Sequence, residues 1–208
     1  MSDTTPEIFI YKMVVDNGGA PCVTSSLLSL AICKPKIRKS AGKGSLIFGF
    51  GGKKTYGERL IYIACVTDKL EKDGYYRHRK YARRPDCIYR NANDKAELKK
   101  RAKFHKGPGH LKRDVGSRFE NAFVLLSTDF RYFGNKGVAE YKNNCPKLKI
   151  LIEGLKQGHR NHLDPALRDE LIKLKNDIWE NNKRMKVGVP SDASSRLACN
   201  TDCPSASC

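Results

Sequence analysis

Two segments rich in glycine and basic residues carry the strongest chemical signal in this sequence. The first runs from Cys33 to Gly44, and the second runs from Gly51 to Arg59. Backbone N–H groups beside glycine, set among lysine and arginine side chains, suit an anion with several oxygens, above all phosphate. The candidate phosphate ligands are Lys34, Lys36, Arg38, Lys39, Lys43, Lys53, Lys54 and Arg59. A solvated basic face is the alternative, and the Walker A pattern GxxxxGK[ST] is absent.

A block of interleaved aromatic and cationic residues extends from Tyr75 to Arg84. Tyrosine rings can stack on bases while neighbouring arginines pair with phosphates. We therefore regard Tyr75, Tyr76 and, further along the chain, Tyr132 as candidates for base stacking. An ordinary surface helix whose tyrosines pack inward explains the block equally well.

Two loop histidines are candidates for acid–base chemistry. His110 precedes Asp114 by four residues, and His159 lies between Gly158 and Arg160. A neutral histidine with a carboxylate partner can accept or donate a proton near neutral pH. A structural role is the more common alternative for a single histidine of this kind.

Other catalytic and metal-binding patterns are weak. No GxSxG motif is present. Lys34 beside Cys33 could favour a thiolate, but the apolar residues before Cys33 equally predict a buried thiol. His159 and His162 are three residues apart without a third ligand, and no CxxC pair occurs. The sequence therefore predicts no metal site and identifies no cofactor.

The charge balance points to a polyanionic partner. The formal net charge is +18, from 40 Lys and Arg against 22 Asp and Glu. Nucleic acid is the first expectation for such a chain, and an anionic membrane surface is the second. No apolar run approaches the roughly 18 residues of a membrane-spanning helix, and the polar N-terminus does not resemble a secretory signal. We expect a cytoplasmic protein that binds nucleic acid or a nucleotide, and no membrane.

The elements that must position these residues alternate without a regular βαβ rhythm. Strands are predicted at 8–15, 45–50, 59–67 and 122–127, and helices at 146–155 and 164–183. This order predicts an α+β fold with a mostly antiparallel sheet, flanked by helices, that could close into a barrel. Pro35 is expected to hold Lys34 in an extended conformation.

The chain divides into one domain with two tails. Residues 8–187 are predicted to form the domain, between an N-terminal tail at 1–7 and a disordered tail at 188–208 that holds Cys199, Cys203 and Cys208. Within the domain, residues 74–114 are expected to be an irregular basic insertion over one face of the sheet, with a short helix near 95–103. The cysteines of the domain fit reduced thiols.

Several short motifs follow one another between residues 8 and 162. They are Asp16-x-Gly18-x-Ala20-Pro21, Leu30-Ala31-x-Cys33-Lys34-Pro35-x-Ile37-Arg38, Arg59-Leu60-Ile61-Tyr62, His110-x-x-x-Asp114, Val124-Leu125-Leu126-Ser127 with Phe130-x-Tyr132-Phe133-Gly134, and Gly158-His159-Arg160. This series resembles the second of the nucleotide-modification-associated domain families. The segments at 33–38 and 130–134 are its most specific parts.

The resemblance implies a nucleotide connection without naming a reaction. It implies a domain encoded beside DNA-base-modifying systems of phages and bacteria, with base-modifying enzymes as partners. The order of basic loop, strand, glycine and strand is also similar to PUA-like barrels that read modified bases. Ser45 stands where the family usually has an acidic residue.

Three functional interpretations follow. The first is a module that binds nucleic acid or nucleotides and serves base modification. The second is an enzyme that modifies a base or nucleotide with a loop histidine as acid and base. The third is a basic interaction protein of a modification complex.

Overall fold

A computed structural model describes residues 5–156 and 158–192, and its strands form two sheets and a hairpin. The strands are β1 (Ile8–Met13), β2 (Cys22–Thr24), β3 (Leu27–Leu30), β4 (Leu46–Gly51), β5 (Leu60–Cys65), β6 (Asp68–Glu71), β7 (Tyr89–Ala92), β8 (Lys95–Leu98), β9 (Phe123–Ser127), β10 (Asp129–Tyr132) and β11 (His159–Arg160). Most are rich in β-branched and aromatic residues, which suit a pleated and buried surface.

Short helices connect the strands, and longer ones follow them. The helices are α1 (Pro35–Ser40), α2 (Lys53–Tyr56), α3 (Gly74–Arg77), α4 (Pro108–Asp114), α5 (Tyr141–Asn144), α6 (Pro146–Gly154) and α7 (Pro165–Asn181), with 3₁₀ turns at Arg79–Tyr81 and Gly134–Lys136. Asp164 caps α7 by accepting from the Leu167 N–H at 3.0 Å. No helix in the described ranges is long and apolar enough to cross a membrane.

The first sheet has the strand order β10–β5–β4–β1–β11. Only β1 and β4 are parallel in it, and every other pair is antiparallel. Tyr11 in β1 lies beside Gly49 of β4 on one side and beside His159 of β11 on the other. A Cβ at Gly49 would lie 2.3 Å from the Tyr62 ring, so glycine is needed for this ring to pack across the sheet.

The second sheet has the order β2–β3–β9–β6 and is wholly antiparallel. A separate hairpin joins β7 to β8 through Asn93 and Asp94. Both turn residues have positive φ, at 50° and 60°, which matches the twist of a two-residue hairpin turn. The Lys95–Lys103 helix predicted from the sequence is therefore wrong, because its first half is β8.

Buried residues form layers on both faces of each sheet. Ile8 and Ile10 of β1 pack towards α6 and α7, whereas Phe9 and Tyr11 pack towards the second sheet. The period of two along a strand explains this division. The far face of the second sheet, which includes Val124, packs against residues from the 74–114 segment. That segment therefore lies over one face of a sheet, as expected, but it contains α3, β7, β8 and α4 and contributes buried residues to the core.

The fold class is confirmed as α+β with mostly antiparallel sheets and flanking helices. In the described ranges, β10 and β11 are the edges of the first sheet, so this sheet does not close into a barrel. The analogy to PUA-like barrels is not confirmed.

Residues 188–192 are packed, so the expected disordered tail is wrong for this stretch. The Ser191 N–H donates to Asp16 Oδ2 at 3.1 Å, and the Asp16 N–H donates to Asp192 Oδ2 at 2.7 Å. The rest of the tail, with Cys199, Cys203 and Cys208, lies outside the described residues.

Arg38 is a structural residue and not the phosphate ligand that its basic neighbours suggested. Its side chain has no exposed area. Its Nε donates to the Cys33 carbonyl at 2.6 Å, and its Nη1 donates to the Phe123 carbonyl at 2.6 Å. Its Nη2 donates to the Asp114 carbonyl at 2.9 Å. The guanidinium thus joins the turn after β3 to β9 and to the end of α4.

Replacement of Arg38 should destabilise the fold strongly. Arg38→Met leaves three carbonyls without their donors and should lower the free energy of unfolding by about 3–5 kcal/mol. Lys39→Met changes the exposed neighbour and should stay within about 0.5 kcal/mol of the parent. Urea unfolding measures both variants, and equal effects would show that Arg38 does not hold these segments together.

Candidate active site

Three residues from separate segments converge beside the second sheet. Cys33 follows β3, His105 precedes α4, and Asp114 is the last residue of α4. Cys33 Sγ lies 3.1 Å from His105 Nε2. On the other side of the ring, His105 Nδ1 contacts Asp114 Oδ2. A thiol, an imidazole and a carboxylate in this series form the arrangement used for nucleophilic catalysis.

The hydrogen bonds around Asp114 determine where the protons lie. Asp114 Oδ2 accepts from the Tyr89 hydroxyl at 2.8 Å as well as from His105. An ionised carboxylate only accepts hydrogen bonds, so we assign the proton of the neutral imidazole to Nδ1. Nε2 then presents its lone pair to Cys33. The imidazole can therefore take the thiol proton and leave a nucleophilic thiolate.

Asp114 is held in its ionised form inside the protein. Burial raises its pKa, but the hydrogen bond from His105, the charge of Arg38 and the Tyr89 hydroxyl lower it more, so the pKa lies below its ordinary value. Asp114 Oδ1 also accepts from the Cys33 N–H at 3.1 Å. One carboxylate therefore orients the imidazole and fixes the backbone of the thiol residue.

The backbone is strained at both ends of the thiol–imidazole pair. Cys33, Lys34 and His105 have φ values of 58°, 44° and 52°. Such left-handed conformations cost a non-glycine residue on the order of 1–3 kcal/mol and cluster at functional sites. Lys34 therefore has a left-handed conformation and not the extended one that its position before Pro35 predicted. Pro35 instead begins α1, so the first basic segment is a strained turn followed by a short helix.

Cys33 differs from the other cysteines of the described chain in its partners. Cys33 is half-buried and contacts an imidazole. Burial is the largest cause that raises the pKa of Cys65, Cys87 and Cys145, and it raises the pKa of Cys22 to about 12. These four thiols are therefore held in their protonated and unreactive form at neutral pH.

The predicted pairing of His110 with Asp114 is wrong, because His105 occupies the carboxylate. The rings of His110 and His105 stack instead, with centroids 4.3 Å apart and planes inclined by 22°. The Arg113 Nη2 donates to His110 Nδ1 at 2.6 Å. His110 thus covers the imidazole of the relay.

His159 lies on β11, in direct register with Tyr11 of β1. Burial, followed by the charges of Lys36, Lys34 and Arg160, lowers the pKa of His159. His159 is therefore neutral at neutral pH and belongs to a basic cluster. Within the described residues, no group of three His, Cys, Asp or Glu side chains is arranged to hold a metal ion.

The glycine segments use their backbone N–H groups within the protein. The Gly42 N–H donates to Ser45 Oγ at 3.1 Å, and the Gly44 N–H donates to the Val66 carbonyl at 2.8 Å. In the second segment, the Gly51 and Gly52 N–H groups donate to the carbonyls of Arg59 and Met13. These N–H groups already donate to acceptors within the protein, so they do not form the phosphate-binding loop that the glycines suggested.

The two basic segments also lie at opposite ends of one strand. Lys43 precedes β4, whereas Lys53 and Lys54 follow it. A six-residue strand separates its ends by about 17 Å, which is too far for one phosphate to bridge. Only an extended polyanion can contact both segments.

Most of the predicted phosphate ligands other than Arg38 are open to solvent. Lys34 is half-buried, and its Nζ lies over the Tyr11 ring at 4.7 Å from the centroid. The exposed members of the set are Lys36, Lys39, Lys43, Lys53, Lys54 and Arg59. These side chains are free to meet a ligand, although they do not form one compact site.

The predicted base-stacking tyrosines are buried, so that prediction is wrong for this structure. Tyr75 is fully buried and donates to Asp86 Oδ1 at 2.8 Å. Tyr76 is 6% exposed and donates to the Ala31 carbonyl at 3.1 Å. Tyr132 is 1% exposed and donates to Asp16. Their ring faces fill the core, as the alternative interpretation of the tyrosine block proposed.

His105 is the candidate site residue that the sequence analysis did not identify. It lies 72 residues beyond Cys33 in a loop of the insertion, and no spacing motif links the two. The sequence features that could have indicated it are its position just before Gly107-Pro108 and the presence of a carboxylate at Asp114.

The fold and site define an α+β domain with a thiol–imidazole–carboxylate relay. The sequence model of one family, described as nucleotide modification associated domain 2, matches residues 5–196. The chain therefore belongs to this family, as its motifs indicated, and has a role associated with nucleotide modification. Neither the curated proteins nor the solved structures contain a match to the chain.

Alkylation should reveal the activated thiol. Iodoacetamide at neutral pH should modify Cys33 about tenfold faster than Cys65, the other half-buried cysteine among the described residues, because His105 accepts the Cys33 proton. His105→Asn should remove this advantage and leave Cys65 unchanged. Mass spectrometry of the alkylated peptides gives each rate separately, and a Cys33 rate that is indifferent to His105 would contradict activation.

Proposed function

We propose that this domain is a nucleotide-modifying enzyme with Cys33 as its nucleophile. His105 is its general base and acid, and Asp114 orients the imidazole. The observation that carries the proposal is the 3.1 Å contact of Cys33 Sγ with His105 Nε2, whose ring is held by a buried carboxylate. Family membership supports the proposed substrate class, a free nucleotide or a nucleotide within nucleic acid.

The proposed reaction is covalent catalysis. The sulfur of Cys33 bonds to an electrophilic carbon of the nucleotide, or of a group to be attached to it, while the thiol proton moves to His105 Nε2. In a displacement, the electron pair of the bond that breaks at this carbon moves to the leaving atom. In an addition, it moves to the conjugated atom. In either case, that atom takes the proton from the imidazolium. Elimination or attack by the acceptor then breaks the C–S bond and returns its electron pair to sulfur. His105 Nε2 takes the proton that the acceptor or the eliminated position loses and passes it to the thiolate, which restores the thiol. Asp114 stabilises the imidazolium in between.

A purely structural relay explains less of the geometry. The thiol is half-buried, whereas the side chains of His105 and Asp114 are fully buried beneath it. The strained turn that presents Cys33 falls within the motif segment at 33–38, the part of the chain most typical of the family. A core contact alone requires neither feature.

Loss of the thiol or the imidazole should abolish modification. In cells that express the full chain, mass spectrometry of nucleosides from DNA, RNA and the nucleotide pool should reveal a product. Cys33→Ser and His105→Asn should each lower its amount by about a hundredfold or more. Cys65→Ser is the matched control and should keep the parent amount. A product that persists with Cys33→Ser would overturn the proposed nucleophile.

Nucleic-acid binding is a second candidate function, and a specific observation favours it. The exposed cations Lys43, Lys53 and Lys54 lie at the two ends of β4, in a chain with a net charge of +18. An extended polyanion can meet both ends, and each phosphate contact releases counterions.

Binding of nucleic acid should weaken steeply with salt. The slope of log K against log salt for a short duplex DNA should fall by about 1 in magnitude with Lys43→Gln, if that side chain contacts one phosphate. Lys149→Gln is the control, because Lys149 already lies 4.0 Å from Glu153 and its charge is partly offset. Fluorescence anisotropy measures both slopes, and an absence of DNA, RNA and nucleotide binding at low salt would contradict this second function.

A further inference from the structure

A basic cluster surrounds the Tyr11 ring, next to the proposed nucleophile. Lys34 directly follows Cys33 and places its Nζ 4.7 Å from the Tyr11 ring centroid. His159 is the antiparallel partner of Tyr11, and directly paired residues project from the same face of a sheet. The turn that holds Cys33 and the strand that holds His159 therefore approach the same tyrosine.

Three basic side chains approach this point. Lys34 and Lys36 flank Pro35 at the start of α1, and the Lys34 Nζ lies over the ring of the tyrosine that pairs with His159. Burial, followed by the charges of Lys36 and Lys34, lowers the pKa of His159, in agreement with this placement. Arg160 pairs with Ile10 and projects from the other face of the sheet. Neither lysine nor His159 pairs with a carboxylate within 4.0 Å in the described part of the chain. An unpaired group of cations around a half-buried imidazole is unfavourable unless an anion joins it.

We propose that Lys34, Lys36 and His159 form an anion subsite that binds a phosphate group of the substrate whose electrophilic carbon reaches Cys33. Ammonium and imidazole N–H groups both donate charge-assisted hydrogen bonds to phosphate oxygens. The subsite rests on the proposed function, since it positions that enzyme's substrate. His159 is thereby a phosphate ligand and not the acid or base of the reaction.

Phosphate binding should couple to protonation of His159. The groups near this imidazole are Tyr11 from β1 and Lys34 and Lys36 from the α1 region, with the Phe9 ring at 6.4 Å. Arg160, the next residue on β11, adds its charge from the other face of the sheet. The cations hold His159 neutral, and a bound dianion reverses their effect and raises its pKa. Affinity should therefore increase as the pH falls through the pKa of His159 in the complex and level off below its pKa in the free protein.

The test follows the His159 ring by NMR across the acid-to-neutral range. Sulfate is the first probe, because it stays a dianion over that range, and deoxythymidine 5′-monophosphate is the second. Both should raise the pKa of His159, and Lys36→Gln should weaken each affinity about tenfold. Lys173→Gln removes one charge from the exposed face of α7 and should leave affinity unchanged. An unmoved His159 titration, or equal effects of the two variants, would overturn the subsite.

The source of the phosphate is decided by a third probe, a single-stranded oligonucleotide without terminal phosphates. Tighter binding of the monophosphate supports a free nucleotide as substrate, and tighter binding of the oligonucleotide supports a phosphodiester of nucleic acid. Iodoacetamide, which is uncharged, is used on the same samples to report on Cys33. Fast alkylation without any anion effect on His159 rejects the subsite alone, whereas slow alkylation with a clear anion effect rejects the nucleophile alone.

Discussion

The buried contact between Arg38 and Asp114 is the constraint on which the candidate site depends. The Arg38 guanidinium lies 3.8 Å from Asp114 Oδ1 and donates to carbonyls of three separate segments. A buried carboxylate and a buried guanidinium are each unfavourable alone, so neither can leave the core without the other. The same pair fixes the turn at Cys33 and keeps Asp114 ionised for His105. Stability and the proposed chemistry therefore use one interaction.

Much of the fold follows from local pattern. The runs at 8–13, 46–51 and 60–65 combine β-branched and aromatic residues, and they form the centre of the first sheet. The apolar stripe and cap of α7 likewise need no tertiary information. The 74–114 segment could not be predicted in this way, because most of its cations are exposed while its tyrosines and Arg84 are buried by long-range packing. Composition alone does not show which residues of this segment are exposed and which are buried.

The site was harder to predict because its chemistry arises from contacts between distant segments. In the sequence, Arg38 resembles the neighbouring surface lysines. It differs from Lys36 and Lys39 only in the structure, where it is buried among carbonyl groups. Asp114 was recognised as a carboxylate partner, but α4 turns it towards His105 rather than His110. Sequence spacing reports neighbours along a helix, whereas this carboxylate is oriented by Tyr89 and the Cys33 backbone.

The separation of Cys33 from its imidazole partner has a consequence for biosynthesis. Cys33 is translated 72 residues ahead of His105 and further ahead of Asp114. Until those residues emerge and dock, the nascent chain presents an ordinary cysteine that is protonated at neutral pH. The activation proposed for this thiol therefore requires that the insertion has packed on the second sheet. Under the proposed function, an incomplete or misfolded copy has Cys33 without its base, and the activated sulfur arises only in folded molecules.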